Sequence, residues 1–592
     1  MKNFFFAFLI LFPTLMISQV NAARFWVGAG ADDNWTTSGN WSTASGGASS
    51  NDYPSGAAAI AKFESSNLTV TVDTNITLKQ MAQTGNSPAN SKYTISSSGG
   101  STLTLMAWQA NSQTIQVNKA NGGFKFASGM KVIANTADAS YNTQFRTASN
   151  GAVISFLDGS TLEILSKNVI FTTGNAGANQ YLKGIVVAGA DSDIMWYGNT
   201  KVWFGTTIDT TNFLGEINGG NEANGSVATV QGTVTCQALK TSGTGTILIK
   251  GAGNVTVSGN LNTSNTSKII VQTGKGTGNS GSLKAVNNVN AATVELQNQI
   301  DDLQADNSTR EWKLIGVPVT GETLADIEAQ SILSTSGSKT AIGDYDNATE
   351  AFDYYTTGAT YTFTAGKGYL VSPSTDAILN FTGTSVNAAN VAAAITYESG
   401  TYGPWNLVGN PYLSYLNMTD DSGDAANNFL TVNAPNINDS YEAVYAWNGT
   451  TYTAYNQSTD TKNFIAPGEG FFIYARNTGD AMNINFKETM QVVNKGGGFN
   501  AASVVKGASK SVSRFNIELK DLDNNQSDQL SFYFSNKTSK GLDPGYDAGK
   551  FNLAGSESKI FTRLLVEDQE SSGIDFQIQA LSNDDLKDAV VP

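Results

Sequence analysis

The chain contains no histidine and one cysteine, Cys236, in 592 residues. The missing imidazole removes Ser-His-Asp and Cys-His nucleophilic chemistry, histidine-based zinc or iron sites and the usual base near neutral pH. A lone thiol also rules out an intramolecular disulfide, a redox pair or a thiolate cluster. Cys236 lies in the alternating run Val234-Thr235-Cys236-Gln237-Ala238-Leu239, which predicts a small hydrophobe buried on a strand rather than a nucleophile. Two chemistries remain open. Glycoside hydrolysis needs two carboxylates roughly 5–10 Å apart. Calcium-assisted polysaccharide lysis needs several oxygen ligands and a basic residue. Between 67 and 300 the acids are sparse, among them Asp138, Asp158, Glu163, Asp191, Asp193, Asp209, Glu216, Glu222 and Glu295. Asp191-Ser192-Asp193 is spaced to put both carboxylates on one face of a strand. The competing reading is a solvated turn before Ile194-Met195-Trp196.

Two acidic loops offer oxygen ligands at short spacing. Asp521, Asp523 and Asp528 are the candidate Ca²⁺ ligands in the first, and Thr419-Asp420-Asp421-Ser422-Gly423-Asp424 forms the second. Neither carries the full EF-hand pattern, and such loops between strands are commonly just solvated. Candidate sugar-stacking aromatics are Trp447, Tyr452 and Tyr455 near a hairpin tip, and Trp196 and Trp203 further upstream. Trp312 and Trp405 read instead as core, because each sits beside Leu and Ile or Val in a repeated pattern. Glycine-rich stretches such as Gly274-Lys275-Gly276-Thr277-Gly278 lack a following helix, so they read as corners rather than phosphate cradles.

The elements that must position these residues are strands. Charged residues make up only 14% of the chain, with 59 glycines and abundant Asn, Ser and Thr, a composition suited to stacked strands and tight turns. At the N-terminus, Lys2 precedes an apolar run from Phe4 to Ile17 and the small-residue site Val20-Asn21-Ala22, the pattern of a cleaved signal peptide over 1–22. The aromatic cluster Phe25-Trp26, Trp35 and Trp41, followed by Pro54 and Phe63, predicts an N-terminal cap over 23–66, closing the first rung of an open stack; a sugar platform is the functional alternative. From 67 to 300 short strands such as Thr102–Met106, Val153–Leu157 and Thr246–Ile249 recur between Gly- and Asn-rich turns. They predict a right-handed parallel β-helix (solenoid) with coils of roughly 20–25 residues.

A repeat follows. Trp312-Lys313-Leu314-Ile315-Gly316-Val317-Pro318 returns as Trp405-Asn406-Leu407-Val408-Gly409-Asn410-Pro411, and Gly366-Lys367-Gly368-Tyr369 as Gly468-Glu469-Gly470-Phe471. Two copies of one β-sandwich module are expected, over 305–390 and 398–492. After a Gly/Ala/Ser/Lys linker, 498–592 reads as a further, incomplete β-sandwich. The fold class is therefore all-β throughout.

The segments Trp405–Pro411, Pro467–Phe472, Arg514–Leu519 and Gly541–Ala548 resemble the C-terminal parts of Bacteroidetes proteins exported by the type IX secretion system. The resemblance covers about 305–592. It implies passage through that secretion machinery to the cell surface, and usually a small sorting domain further on. This sequence departs from the pattern by stopping at Val590-Val591-Pro592, which predicts a truncated sequence or, as the alternative, another route to the surface.

A net charge of −15 and a pI near 4.6 argue against a sequence-independent grip on nucleic acid, which needs clustered Lys and Arg. No transmembrane segment is expected in the mature chain. Together these features predict an exported, non-catalytic surface adhesin or cell-envelope structural protein, contacting a polysaccharide or a host or environmental surface. A secreted polysaccharide-binding or polysaccharide-degrading protein is the alternative.

Overall fold

The computed structural model describes residues 18–587 except 111, 139–140, 158, 167, 174–178, 183–184, 189–192, 198–200, 205–215, 223–226, 231–232, 237, 244–245, 264–265, 275–278, 287–292, 301–311, 386–388, 421–425, 448–451, 459–463, 480, 494–512, 522–525, 552–559, 567–568 and 571–572. The described chain is all-β, with only short helices such as Leu324–Ala329 and Phe429–Asn433. It divides into two compact units, Met1–Val227 and Ala228–Pro592.

In the first unit three parallel ladders run side by side. One pairs Ile76–Gln83, Thr102–Ala107, Lys131–Thr136, Thr161–Ile164 and Ile185–Ala188 in that order. A second pairs Gly56–Phe63, Ile76–Gln83, Ser112–Val117, Asn142–Thr147, Asn168–Thr173 and Asp193–Tyr197. The third pairs Thr69–Val72, Lys92–Ser97, Gly123–Phe126, Val153–Phe156, Asn179–Leu182 and Lys201–Phe204. The chain visits the three in rotation. Alternation explains why these segments choose strand: Leu103, Leu105, Val132, Ala134, Leu162 and Ile164 point inward and are buried, while the residues between them face out. Asn90 and Asn121 turn corners in the left-handed region, at φ 59° and 54°, which asparagine tolerates better than most side chains.

Trp26, Trp35 and Trp41 are fully buried, with the Trp41 ring 4.7 Å from Trp35 and 5.1 Å from Trp26. Their lack of exposed ring face excludes them as a sugar platform.

The second unit holds further parallel pairing, Thr233–Cys236 with Asn254–Val257 and Ser282–Ala285, and Thr246–Ile249 with Lys268–Gln272 and Thr293–Ile300. Cys236 is buried there, as its alternation predicts. Coil lengths depart from expectation. Thr233 faces Asn254, 21 residues on, but Val132 faces Leu162, 30 residues on. Turn insertions cost little closure entropy, so corners absorb length without breaking a ladder.

The repeat is visible in the register. Lys313–Gly316 pairs antiparallel with Gly368–Val371, and Trp405–Gly409 pairs the same way with Gly470–Tyr474, Gly316 opposite Gly368 and Gly409 opposite Gly470. The two copies meet about a pseudo-twofold axis. The Gly316 N–H donates to Gly468 O and the Gly409 N–H to Gly366 O, both at 3.0 Å. Ile315 bridges Glu469 as Lys367 bridges Val408. A Cβ on Gly409 would stand 2.4 Å from the Gly316 Cα, so the repeated glycines are what let backbone meet backbone.

Ladder and first repeat share a strand just before 300. Thr293–Ile300 pairs parallel with Lys268–Gln272 and antiparallel with Ala377–Ser385. The C-terminal segment likewise lacks a core of its own on one side. Its sheet, ordered Ser513–Asp521, Gln526–Ser535, Phe576–Ser582, Ala548–Gly549, lays Tyr533, Ile578 and Ala548 against Trp405, Leu407, Tyr445 and Phe472 of the second repeat.

Candidate functional site

Where the C-terminal sheet overlaps the second repeat, a polar cleft of about 230 Å³ opens. One wall is the edge strand Tyr452–Tyr455 and the other is formed by Ser513–Asp521 and Gln526–Ser535. Alternation sends Arg514 and Asn516 to the cleft side of their strand, and register places them opposite Tyr533 and Ser531. Gln577 forms the seam. Its side chain accepts from the Ala454 N–H at 3.2 Å and donates to Tyr452 O at 3.3 Å, covering backbone groups on that strand edge. The lining thus offers a guanidinium, the side-chain amides of Asn516, Gln529 and Gln577, and hydroxyls of Thr453, Ser531 and Tyr455. No carboxylate is among the lining residues. Such a set can bind a polyhydroxyl or anionic group through hydrogen bonds and a single cation. An acid–base pair is not part of it.

The structure sorts the residues expected from sequence. Tyr455 reaches the cleft wall, but it is only 7% exposed and burial pushes its hydroxyl well above the usual phenolic range. Tyr452 stacks on Phe551 with centroids 4.0 Å apart, and Trp447 leans on Tyr452 at 5.0 Å. Both belong to the packing around the sandwich core. Tyr452 and Tyr455 therefore do not form an exposed stacking platform; the C-terminal segment covers them. Trp196 and Trp203 lie on strands in register with Phe171 and Tyr181, and their side chains fall outside the described residues.

Of the calcium candidates, the Asp521 side chain and Asp523 also lie outside the described residues, as do Asp421–Asp424 and Asp191 with the Asp193 side chain. Asp528 is engaged. Lys550 Nζ is 2.5 Å from its Oδ1, and the Ile560 N–H donates to Oδ2 at 3.0 Å. Burial pulls the Lys550 pKa down while Asp528 opposes that shift. Among the described residues no group of three or more Cys, Asp or Glu is placed to hold a metal ion.

Two of the carboxylates that sequence listed for catalysis are paired with lysines. Glu163 meets Lys131 at 2.8 Å, and the buried Glu295 meets Lys268 at 2.6 Å. Glu322, which sequence reasoning passed over, is 3% exposed and accepts from the Thr382 N–H at 2.5 Å. Burial lifts its pKa from 4.5 to about 7. Trp312 corrects another expectation: it is 37% exposed, resting on Tyr354 at 5.3 Å, whereas its counterpart Trp405 is buried under Tyr441, Tyr445, Tyr474 and Phe551. Among the described residues no C-terminal sheet lies over the equivalent ring of the first repeat. The cleft residues Arg514, Asn516, Gln529 and Gln577 were missed as well; the polar–apolar alternation of Arg514–Leu519 was their only local signal.

Fold and site together define an all-β protein with parallel ladders, a glycine-locked pair of repeats and a polar inter-sheet cleft. The chain belongs to the family described as Domain of unknown function (DUF8693), whose model matches residues 189–579. No curated protein and no solved structure matches it. Among the described residues no helix is long and apolar enough to cross a membrane.

Proposed function

We propose that this chain is a non-catalytic, exported surface protein that adheres through polar contacts and serves as a structural element of the cell envelope. The carrying observation is the ion pairing of five of its acids. Glu163, Glu295, Asp344, Asp439 and Asp528 each sit within 4 Å of a Lys or Arg, an arrangement that supports scaffolding rather than proton transfer. The absence of histidine points the same way. The cleft supports polysaccharide as the contacted material, because amides, hydroxyls and one guanidinium recognise hydroxyl-rich polymers through many modest hydrogen bonds. The apolar N-terminal run and the motifs shared with type IX cargo support export to the cell surface.

The test is to incubate the purified chain, with and without Ca²⁺, on a panel of neutral and acidic polysaccharides, scoring retained protein and released sugar together. Retention without product is the expected result, with Arg514→Ala weakening it. Released reducing or unsaturated ends would overturn the non-catalytic reading, and a blank on both scores would overturn polysaccharide as the contact.

A further inference from the structure

Ser513–Asp521 closes one side of the C-terminal sheet, and among the described residues no strand pairs with its outer edge. An exposed edge is a template for another strand, and proteins usually blunt it with proline, a bulge or brevity. This one is nine residues long, contains no proline and runs in unbroken register with Gln526–Ser535. Its apolar face is also uncovered. Phe515 is 52% and Leu519 45% exposed, flanking the partly buried Ile517 above Leu530, Phe532, Phe534 and Leu581.

The opposite face carries Arg514, Asn516, Glu518 and Lys520 in alternation. That order is self-complementary in the antiparallel register about Asn516, which pairs Ser513–Leu519; about Leu519, Glu518 would also meet Lys520, but only Ile517–Asp521 would pair. Centred on Asn516, the strand sets Arg514 against the Glu518 of a second copy and Glu518 against its Arg514. Phe515 then meets Ile517 in both directions. Centred on Ile517, Arg514 would face Lys520; centred on Glu518, that carboxylate would face itself. Opposite charges directly across a strand pair stabilise it, and like charges destabilise it.

We infer that this edge pairs with the same edge of a second copy of the chain, antiparallel about Asn516, joining two four-stranded sheets into one. The contact is isologous, so each favourable pair occurs twice and assembly closes at two copies. It sets Phe515 against the Ile517 of the second copy, while Leu519 lies opposite Ser513. It also brings two clefts, each walled by Arg514 and Asn516, onto one face of the joined sheet. Only this last consequence rests on the proposed polysaccharide contact; the pairing stands without it.

Sedimentation velocity on the full chain over a concentration series is the test. The wild type is expected to shift from monomer to dimer. Glu518→Arg puts Arg514 opposite arginine in both symmetric pairs and should weaken the dimer on the order of tenfold. The double exchange Arg514→Glu with Glu518→Arg should restore it. Independently, Asn516→Cys should cross-link copies under mild oxidation, since residues on the axis face each other and Cys236 is buried. A monomer at every concentration, or a dimer indifferent to Glu518→Arg and silent in the cross-linking assay, would overturn the inference.

Discussion

At Gly409 a single missing methyl group decides whether two repeats can meet. Its Cβ would stand 2.4 Å from the Gly316 Cα and 3.1 Å from the Lys367 carbonyl oxygen, and a backbone neighbour cannot swing aside as a side chain can. Gly409→Ala should therefore cost about 3 kcal/mol in urea unfolding, at the upper end for overpacking; a loss under about 0.5 kcal/mol would mean the repeats are not locked at this point. Glu322 makes a different residue-scale claim. Its folded pKa of about 7 lies above its ordinary 4.5, so between those values the folded state holds more protons than the unfolded one. Stability from this group is then fully present below about pH 4.5 and is lost as pH rises toward 7, by up to roughly 3 kcal/mol. Glu322→Gln keeps an oxygen for the Thr382 N–H and has no charge to bury. It should match the wild type near pH 4.5 and exceed it by about 2 kcal/mol at pH 8. Equal differences at both pH values in paired urea titrations would show that the Glu322 carboxyl does not titrate this way.

The strands show which features a single sequence can reveal. Inward rows such as Leu103, Leu105, Val132 and Ala134 were legible because alternation is local, and the burial of Trp26, Trp35 and Trp41 was legible because three tryptophans within 16 residues have few other uses. Trp41 donates its indole N–H to Trp35 O at 2.7 Å and packs against Trp26, Trp35 and Phe63. Trp41→Ala should cost about 4 kcal/mol. In hydrogen exchange, Ala23–Trp26 and Gly56–Phe63 should lose protection before Thr102–Ala107 does; uniform loss along the ladder would contradict a local cap. Other features depend on partners far along the chain. Trp312 and Trp405 sit in matching motifs, yet only Trp405 is covered, because Phe551 reaches it and the first repeat has no equivalent among the described residues. The cleft was hidden for the same reason. Arg514 and Gln577 approach Ala454 only once three distant strands are assembled, and a polar residue on an alternating strand looks the same whether it faces solvent or a wall.

Across the second unit, one strand joins what the sequence divides. The boundary expected near 300 falls where Thr293–Ile300 serves the parallel ladder and the first repeat at once. Leu296 is the hinge of that sharing: it is fully buried, faces Val271 on one side and Phe381 on the other, and lies beneath Gly468 of the second repeat. Further ties run from the ladder to the second repeat, through the Leu283 N–H to Leu413 O at 2.8 Å and Lys284 Nζ to Gln491 O at 2.9 Å. An open ladder end presents unpaired backbone and apolar side chains, so the repeats act as its cover as well as its continuation. Elements tied this way should open together rather than in sequence. The chain carries its own reporter, because Cys236 is the sole thiol and lies buried in the ladder. Thiol labelling against denaturant reads ladder opening, and hydrogen exchange at Trp405–Gly409 reads the second repeat. Both midpoints should coincide in the wild type. Leu296→Ala, at a cost of about 3 kcal/mol, should lower them by the same amount. Early labelling of Cys236 with Trp405–Gly409 still protected would show instead that ladder and repeats are separate cooperative units, linked by a strand but not stabilised through it.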